Sequence, residues 1–259
     1  MKEVFSMWKH TKMVVLVALC AGLYAALLIP FKAIVVIPGI TEVRPASALP
    51  IVFGLLFGPA GAWGAAIGNL IGDFFGSLGA GSIFGFVGNF LFAYVPYKLW
   101  NSFGFKEPKV IGKKNVIMFI LIAILGSMAC ALFIAWGVDL LGLVPFAALG
   151  SIITANNTIP SIVLGLPLIL LLYPRVKKWD LLWTDIVDES ELPQGGAKSR
   201  IGGYIMIASI LFGLIAGLIT ALGGGQEMFS FAGEAKNMMV AVIAGIGSIG
   251  ILIGGAMQK

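Results

Sequence analysis

Charged residues are scarce in this sequence. They make up 11% of its 259 residues, whereas soluble domains carry about 25%. A chain so poor in charge could not cover a water-facing surface, which excludes a soluble globular fold. Hydrophobic residues make up 59% of the chain, and its mean hydropathy is +1.02. The sequence therefore predicts an all-α integral membrane protein that crosses the bilayer several times.

Residues that carry catalysis are also few. The one histidine, His10, lies in the N-terminal tail, where a solvated side chain is expected rather than a catalyst. The sequence has no His-Glu-x-x-His, no Gly-x-Ser-x-Gly and no phosphate-binding Gly-x-x-x-x-Gly-Lys-Ser/Thr loop. Cys20 and Cys130 lie in apolar runs and are interpreted as small core residues. We therefore expect no enzyme activity, no metal site and no cofactor.

Long apolar runs mark six clear membrane segments, and one further region is harder to divide. The clear runs are Met13–Ile29, Ser82–Pro96, Val116–Val138, Leu149–Leu172, Ile201–Leu222 and Met238–Met257. Ala46–Gly76 is too long for one ordinary span of about 20 residues and short for two. Gly58-Pro59 interrupts it, and proline suits the first turn of a helix. We predict that one helix ends there and another begins.

The basic residues decide how often Ala46–Gly76 crosses the membrane. Cytoplasmic loops carry the excess of lysine and arginine. With two passes, or a re-entrant pair, and a cytoplasmic N-terminus, 14 of the 17 basic residues lie inside. Only Lys32, Arg44 and Lys236 then lie outside. The sequence thus predicts eight membrane segments in the cell membrane, with both termini in the cytoplasm.

One markedly polar stretch, Tyr173–Arg200, divides the chain. We expect a six-segment substrate-binding unit at residues 1–175, a cytoplasmic linker at 176–200 and a C-terminal transmembrane helix pair at 201–259. Small residues also recur at every fourth position, a pattern that lets helix backbones approach closely. These residues are Ala18, Gly22 and Ala26 in the first segment, Gly64, Gly68, Gly72 and Gly76 in the third, and Gly213, Gly217, Gly250 and Gly254 in the last two.

Polar residues of the predicted segments gather toward the outer side. Such residues are costly in a membrane and usually face the bundle interior or a wet cavity. We predict a site for a small polar molecule that arrives from outside, with these candidate binding residues: Glu42, Arg44, Asn69, Asp73, Asn89, Asn156, Asn157 and Ser161. Two simpler interpretations stay open: the amides and hydroxyls tie helices together, or Glu42 and Arg44 pair with each other. Because Arg44 and Lys32 are the only nearby cations, a neutral or weakly charged ligand is favoured over a polyphosphate.

A family resemblance rests on three stretches of sequence. They are Glu42-Val43-Arg44-Pro45-Ala46 through Leu49-Pro50, Gly54-Leu55-Leu56-Phe57-Gly58-Pro59, and Gly68-Asn69-Leu70-Ile71-Gly72-Asp73. In these stretches the chain resembles the substrate-binding S components of energy-coupling factor (ECF) vitamin transporters. The resemblance covers roughly residues 10–175 and is strongest over Arg44–Asp73.

The resemblance implies a six-helix fold that captures a vitamin or related micronutrient near the extracellular side. It implies that the loop Phe31–Ala46 closes over the ligand and that Ala18, Gly22 and Ala26 dock on a transmembrane coupling subunit. Two cytoplasmic ATPases would then drive toppling of the S component in the membrane. The helix pair after residue 200 departs from this pattern, because a six-helix S component lacks it.

Other functions stay open at this point. A stand-alone secondary transporter or channel would act without ATPases, but the sequence shows no inverted repeat and few buried carboxylates apart from Asp73. A non-transport membrane scaffold would use the glycine stripes for partners alone. Trp63 and Trp136 fit interfacial anchoring better than stacking on a flat ligand.

Overall fold

A computed structural model describes residues 2–38, 41–42, 44–105, 107–192, 195–223 and 237–258. Its helices are α1 (Lys2–Ser6), α2 (Thr11–Leu28), α3 (Ala48–Phe57), α4 (Pro59–Asp73), α5 (Gly81–Ser102), α6 (Lys113–Leu140), α7 (Phe146–Val163), α8 (Gly165–Lys178), α9 (Trp183–Ile186), α10 (Ala197–Leu211), α11 (Gly217–Ala221) and α12 (Met238–Met257). A π-helical turn, Phe212–Ala216, joins α10 to α11. Strands β1 (Val35–Ile37) and β2 (Thr41–Glu42) form a short antiparallel pair. The predicted all-α membrane fold is confirmed.

Five helical stretches in the described part of the chain are long and apolar enough to cross a membrane. They are Thr11–Ala33, Lys113–Leu140, Phe146–Val163, Ala197–Ala221 and Met238–Met257. Helices α3 and α4 have 10 and 15 residues, fewer than the roughly 20 that a straight span needs. Two short helices that follow each other along the chain agree with the two passes or re-entrant pair predicted for this region. The total of eight membrane segments stays a prediction.

The apolar stretch Ala46–Gly76 divides at Gly58-Pro59, as predicted. Gly58 has a φ of 51°, in the left-handed region that glycine adopts without steric cost. Pro59 takes the first helical position of α4, where its missing N–H costs no hydrogen bond. The ring of Trp183 packs against this turn, and a Cβ on Gly58 would lie 2.6 Å from it. The linker therefore covers the α3–α4 junction.

The segment predicted as one helix over Leu149–Leu172 is two helices in the structure. Helix α7 ends at Val163 and α8 begins at Gly165. Pro167 has no N–H to bond the carbonyl oxygen of Val163, so the helical hydrogen-bond ladder is interrupted at this point. The sequence shows Pro160 and Pro167 in this segment, but its unbroken apolar character led to the prediction of a single helix.

Helix α4 packs on α2 through its glycine stripe. A Cβ on Gly64 would lie 2.3 Å from the Cβ of Cys20, and one on Gly68 would lie 2.8 Å from the carbonyl oxygen of Ala21. Larger side chains would force the helices apart, so this stripe is an internal contact. Gly76, predicted to extend it, lies in the turn beyond α4.

The C-terminal helices pack on each other and on the unit before them. A Cβ on Gly247 of α12 would lie 2.6 Å from the Cα of Gly213 in the π-helical turn. Trp136 of α6 donates its indole N–H to the carbonyl oxygen of Ala241 at 3.0 Å. The helix pair thus lies directly against α6, and Trp136 serves this contact.

The N-terminal tail, α5 and the linker meet at one end of the bundle. The sequence predicted a solvated His10, and this prediction is wrong. The His10 side chain is 19% exposed, and its Nε2 lies 2.9 Å from Oε2 of Glu191. Glu3 and Lys98 form a buried ion pair at 2.7 Å. These contacts join segments that the charge pattern places on the same side of the membrane.

The glycine contact between α2 and α4 predicts a difference between two matched substitutions. Gly64→Ala should lower the midpoint of thermal unfolding in detergent, because overpacking of this kind costs about 1–3 kcal/mol. Gly22→Ala should leave the midpoint unchanged or raise it, since no described atom lies within 4 Å of a Cβ built there. Equal midpoints for the two variants would contradict the packing.

Candidate functional site

The segment after α2 folds back toward the bundle and places charged residues inside it. A 3₁₀ turn at Ile29–Ala33 leads into the β1–β2 pair, and a second turn at Pro45–Ser47 leads into α3. Glu42, at the end of β2, is 3% exposed, and Arg44 is 7% exposed. Both side chains therefore lie in the interior and require charged or polar partners.

Two cations and two carboxylates form a buried network there. Arg44 donates its Nε–H to Oε1 of Glu42 at 3.0 Å, and Lys32 Nζ lies 3.2 Å from the same oxygen. Lys32 Nζ also lies 3.3 Å from Oδ1 of Asp73 and donates to Oγ of Ser77 at 2.6 Å. The four formal charges cancel, and hydrogen bonds occupy several of the remaining polar positions. This arrangement offsets the cost of burying each ion.

Helix α4 extends the network into the bundle. Asn69 and Asp73 lie one turn apart on the same helical face, as residues four positions apart do. Asn69 accepts a hydrogen bond from Nη1 of Arg44 at 3.2 Å and donates its amide to Oδ2 of Asp73 at 3.2 Å. Ser77 donates to the other oxygen of Asp73 at 3.0 Å. The loop after α2 and the end of α4 are therefore fixed to each other.

Asn89 of α5 is fully buried beside this network. Its Oδ1 accepts a hydrogen bond from the hydroxyl of Tyr24 at 2.9 Å, and its amide donates to the carbonyl oxygen of Gly85 at 2.8 Å. These bonds fix the orientation of the Asn89 side chain. Tyr24 was not among the candidate residues, and its place in an apolar helix gave no signal of this contact.

A cavity of about 320 Å³ lies between these groups, a size at the small end of the range for ligand sites. Its lining is polar on one side and aliphatic on the other, and consists of Thr41, Arg44, Asn69, Asp73, Ser77, Gly79, Ala80, Gly81, Ser82, Gly85, Asn89, Ile134, Val138, Leu143 and Ile153. The structure thus brings four predicted residues, Arg44, Asn69, Asp73 and Asn89, to one cavity. Glu42 stands directly behind Arg44.

The candidates on α7 have a different position. Asn156 donates to the carbonyl oxygen of Glu42 at 2.6 Å and accepts from the N–H of Arg44 at 3.2 Å. Ser47 donates to Asn157 at 2.9 Å, and Ser161 donates to the carbonyl oxygen of Ser47 at 3.0 Å. These three α7 residues do not line the cavity; they fasten the loop to α7.

Several lining residues were not predicted. Ser77, Ser82 and the glycines at 79, 81 and 85 belong to the turn between α4 and α5 and to the first turns of α5. Small residues in a turn are common, so the sequence gave no reason to assign them to a site. The spacing of Ser77 four residues after Asp73 was the one available signal.

The buried network predicts a marked effect of a single neutralisation. Glu42→Gln removes one of two carboxylates and leaves Lys32 and Arg44 undercompensated, which should lower the free energy of unfolding by about 3 kcal/mol. Thermal unfolding in detergent measures the loss. Glu189→Gln, an exposed linker substitution, should have no effect. A Glu42→Gln variant as stable as the wild type would show that the network carries little of the fold.

Comparison with known proteins identifies the family. A family model described as QueT transporter matches residues 14–174. No curated protein and no solved structure matches the chain. The matched range coincides closely with the span of the resemblance to ECF S components and ends before the C-terminal helix pair. The chain therefore belongs to the QueT transporter family, an ECF S-component family, and is a multi-pass membrane protein with a role in small-molecule transport.

Proposed function

We propose that this chain is the membrane-embedded substrate-binding subunit of an ECF-type, ATP-driven importer that captures a vitamin or related micronutrient from outside. The cavity that joins Arg44, Asn69, Asp73 and Asn89 is the observation that supports it most. A transporter subunit needs a site with polar groups that is reachable from one side of the membrane. Thr41 and Arg44 of the loop after α2 line this cavity, and hydrogen bonds fasten that loop to α7. The proposal assigns the chain no catalytic step.

The charge balance of the site favours a neutral or weakly charged ligand. Lys32 and Arg44 are already paired with Glu42 and Asp73, so the network offers no surplus positive charge to a polyphosphate. Polar atoms along one wall can donate and accept hydrogen bonds, while Ile134 and Val138 provide an apolar wall. A small molecule with polar groups on one edge fits this lining.

One face of α2 suits a coupling subunit. Ala18, Gly22 and Ala26 are exposed on the surface of the bundle, whereas Ala21 and Ala25 on the adjacent face are buried. The glycine stripe of α4 packs against α2, and Gly213 and Gly254 pack within the C-terminal helices. Of the small-residue stripes in the described part of the chain, the one on α2 is left exposed. We propose that a transmembrane coupling subunit docks there and that two cytoplasmic ATPases supply the energy.

The proposed orientation puts the cavity outside and both termini in the cytoplasm of a cell. The contacts of His10 with Glu191 and of Glu3 with Lys98 support it, because these segments share one end of the bundle. The prediction of topology also used three lysines that lie outside the described residues: Lys106, Lys236 and Lys259. We also propose that residues 1–175 form the substrate-binding unit, that 176–200 are a cytoplasmic linker and that 201–259 are an added helix pair.

Ligand binding by the purified chain is the first test. We expect at least one member of a panel of water-soluble vitamins, nucleobases and cofactor precursors to raise the thermal unfolding midpoint. Asn89→Ala should weaken that binding about 10-fold, since one hydrogen bond contributes about 1 kcal/mol or somewhat more. Asn115→Ala, an exposed substitution outside the cavity, should not change it. A panel without any stabilising compound, or equal loss in both variants, would count against the proposal.

Coupling through α2 gives a separate test. Gly22→Leu should leave the unfolding midpoint and ligand binding unchanged, because the added side chain points away from the bundle. It should abolish co-purification with the coupling subunit, since a small-residue interface tolerates no bulk. The matched control is Ala208→Leu, at an exposed position of α10. This variant should still co-purify with the coupling subunit. Retention by Gly22→Leu would refute docking on this face.

A further inference from the structure

Three potential metal ligands converge at the end of the bundle that holds the N-terminal tail. His10 connects the 3₁₀ turn Met7–Lys9 to α2. In the linker, Asp188 directly precedes the 3₁₀ turn Glu189–Glu191, and Glu191 is the last residue of that turn. His10 and Glu191 are separated by 181 positions in the sequence, yet their side chains are in contact at 2.9 Å. The fold, and not local sequence, brings them together.

The spacing of the donor atoms suits one ion. A nitrogen of His10 and one carboxylate oxygen each from Asp188 and Glu191 all lie within 4.8 Å of one another. In a tetrahedral site with metal–ligand bonds of about 2.0–2.1 Å, donor atoms stand about 3.3 Å apart. Asp188 is the exposed member of the three. Among the described residues, this is the one group of three such side chains with this spacing.

We propose that His10, Asp188 and Glu191 form a site for a divalent transition-metal ion, with Zn²⁺ as the best fit. An imidazole with two carboxylates suits Zn²⁺ and related metals, whereas Mg²⁺ prefers oxygen ligands and retains its waters. Three protein ligands leave a fourth position for water. The two carboxylates neutralise the ion, and the nearby ammonium group of Lys9 is the opposing charge.

The environment of Glu191 agrees with a metal ligand. Its side chain is 19% exposed, and its Oε2 lies 2.9 Å from Nε2 of His10, so the carboxylate and the imidazole already face each other. The ion would join the start of α2 to the linker that leads to α10, and so fasten the C-terminal helix pair to the first membrane helix.

Metal titration of the full chain tests this site, and it needs neither the transported ligand nor the coupling partners. The protein, purified with a tag free of histidine, is titrated with Zn²⁺ and in parallel with Mg²⁺ by calorimetry. We expect one Zn²⁺ per chain and no comparable binding of Mg²⁺. His10→Gln and Asp188→Asn should each weaken Zn²⁺ binding at least about 10-fold, and Glu189→Gln should leave it unchanged.

The outcomes separate clearly. Absence of one-to-one Zn²⁺ binding by the wild type would overturn the proposal, and so would equal affinity in wild type, His10→Gln and Asp188→Asn. If His10→Gln does not purify as a single species, the exposed Asp188→Asn substitution decides the matter. Weakened binding by Glu189→Gln as well would indicate a diffuse acidic surface and would also overturn it.

Discussion

The network of Lys32, Glu42, Arg44 and Asp73 holds together the end of the helix bundle that contains the cavity. Four charges are buried where water is scarce, and each is compensated by an opposite charge within 3.3 Å. Removal of any one leaves a buried charge of the opposite sign uncompensated in the network, at a cost of about 3–5 kcal/mol. The network joins the loop after α2 to the end of α4, and the cavity exists because these two elements are fixed at that separation.

Close helix packing provides the frame for this network. The glycines of α4 bring its backbone against Cys20 and Ala21 of α2. About one turn further along α2, Tyr24 donates a hydrogen bond to Asn89 of α5. The same use of small residues recurs where Gly213 meets Gly247 in the C-terminal pair. In a membrane, where burial of apolar surface gains little, such close contacts and buried polar bonds are what hold helices together.

Much of this arrangement follows from the sequence, and the remainder does not for identifiable reasons. The break at Gly58-Pro59 was predictable because proline and glycine act locally on the backbone. Depth in the membrane was enough to predict that Arg44 and Asp73 share a region. The depth of a residue in the membrane does not reveal which groups it hydrogen-bonds. The sequence therefore could not distinguish hydrogen bonds from Asn156 to the loop backbone from hydrogen bonds to a ligand. Lys32 likewise gave no sign that it would bridge two carboxylates.

Native mass spectrometry of the protein purified from membranes shows most directly whether the cavity beside Asp73 and Asn89 retains a small molecule. We expect one bound small molecule per wild-type chain, and loss of that adduct in Asp73→Asn, which alters the cavity wall. A wild-type spectrum that shows only the bare chain after growth in rich medium would contradict it. So would an adduct that Asp73→Asn leaves unchanged.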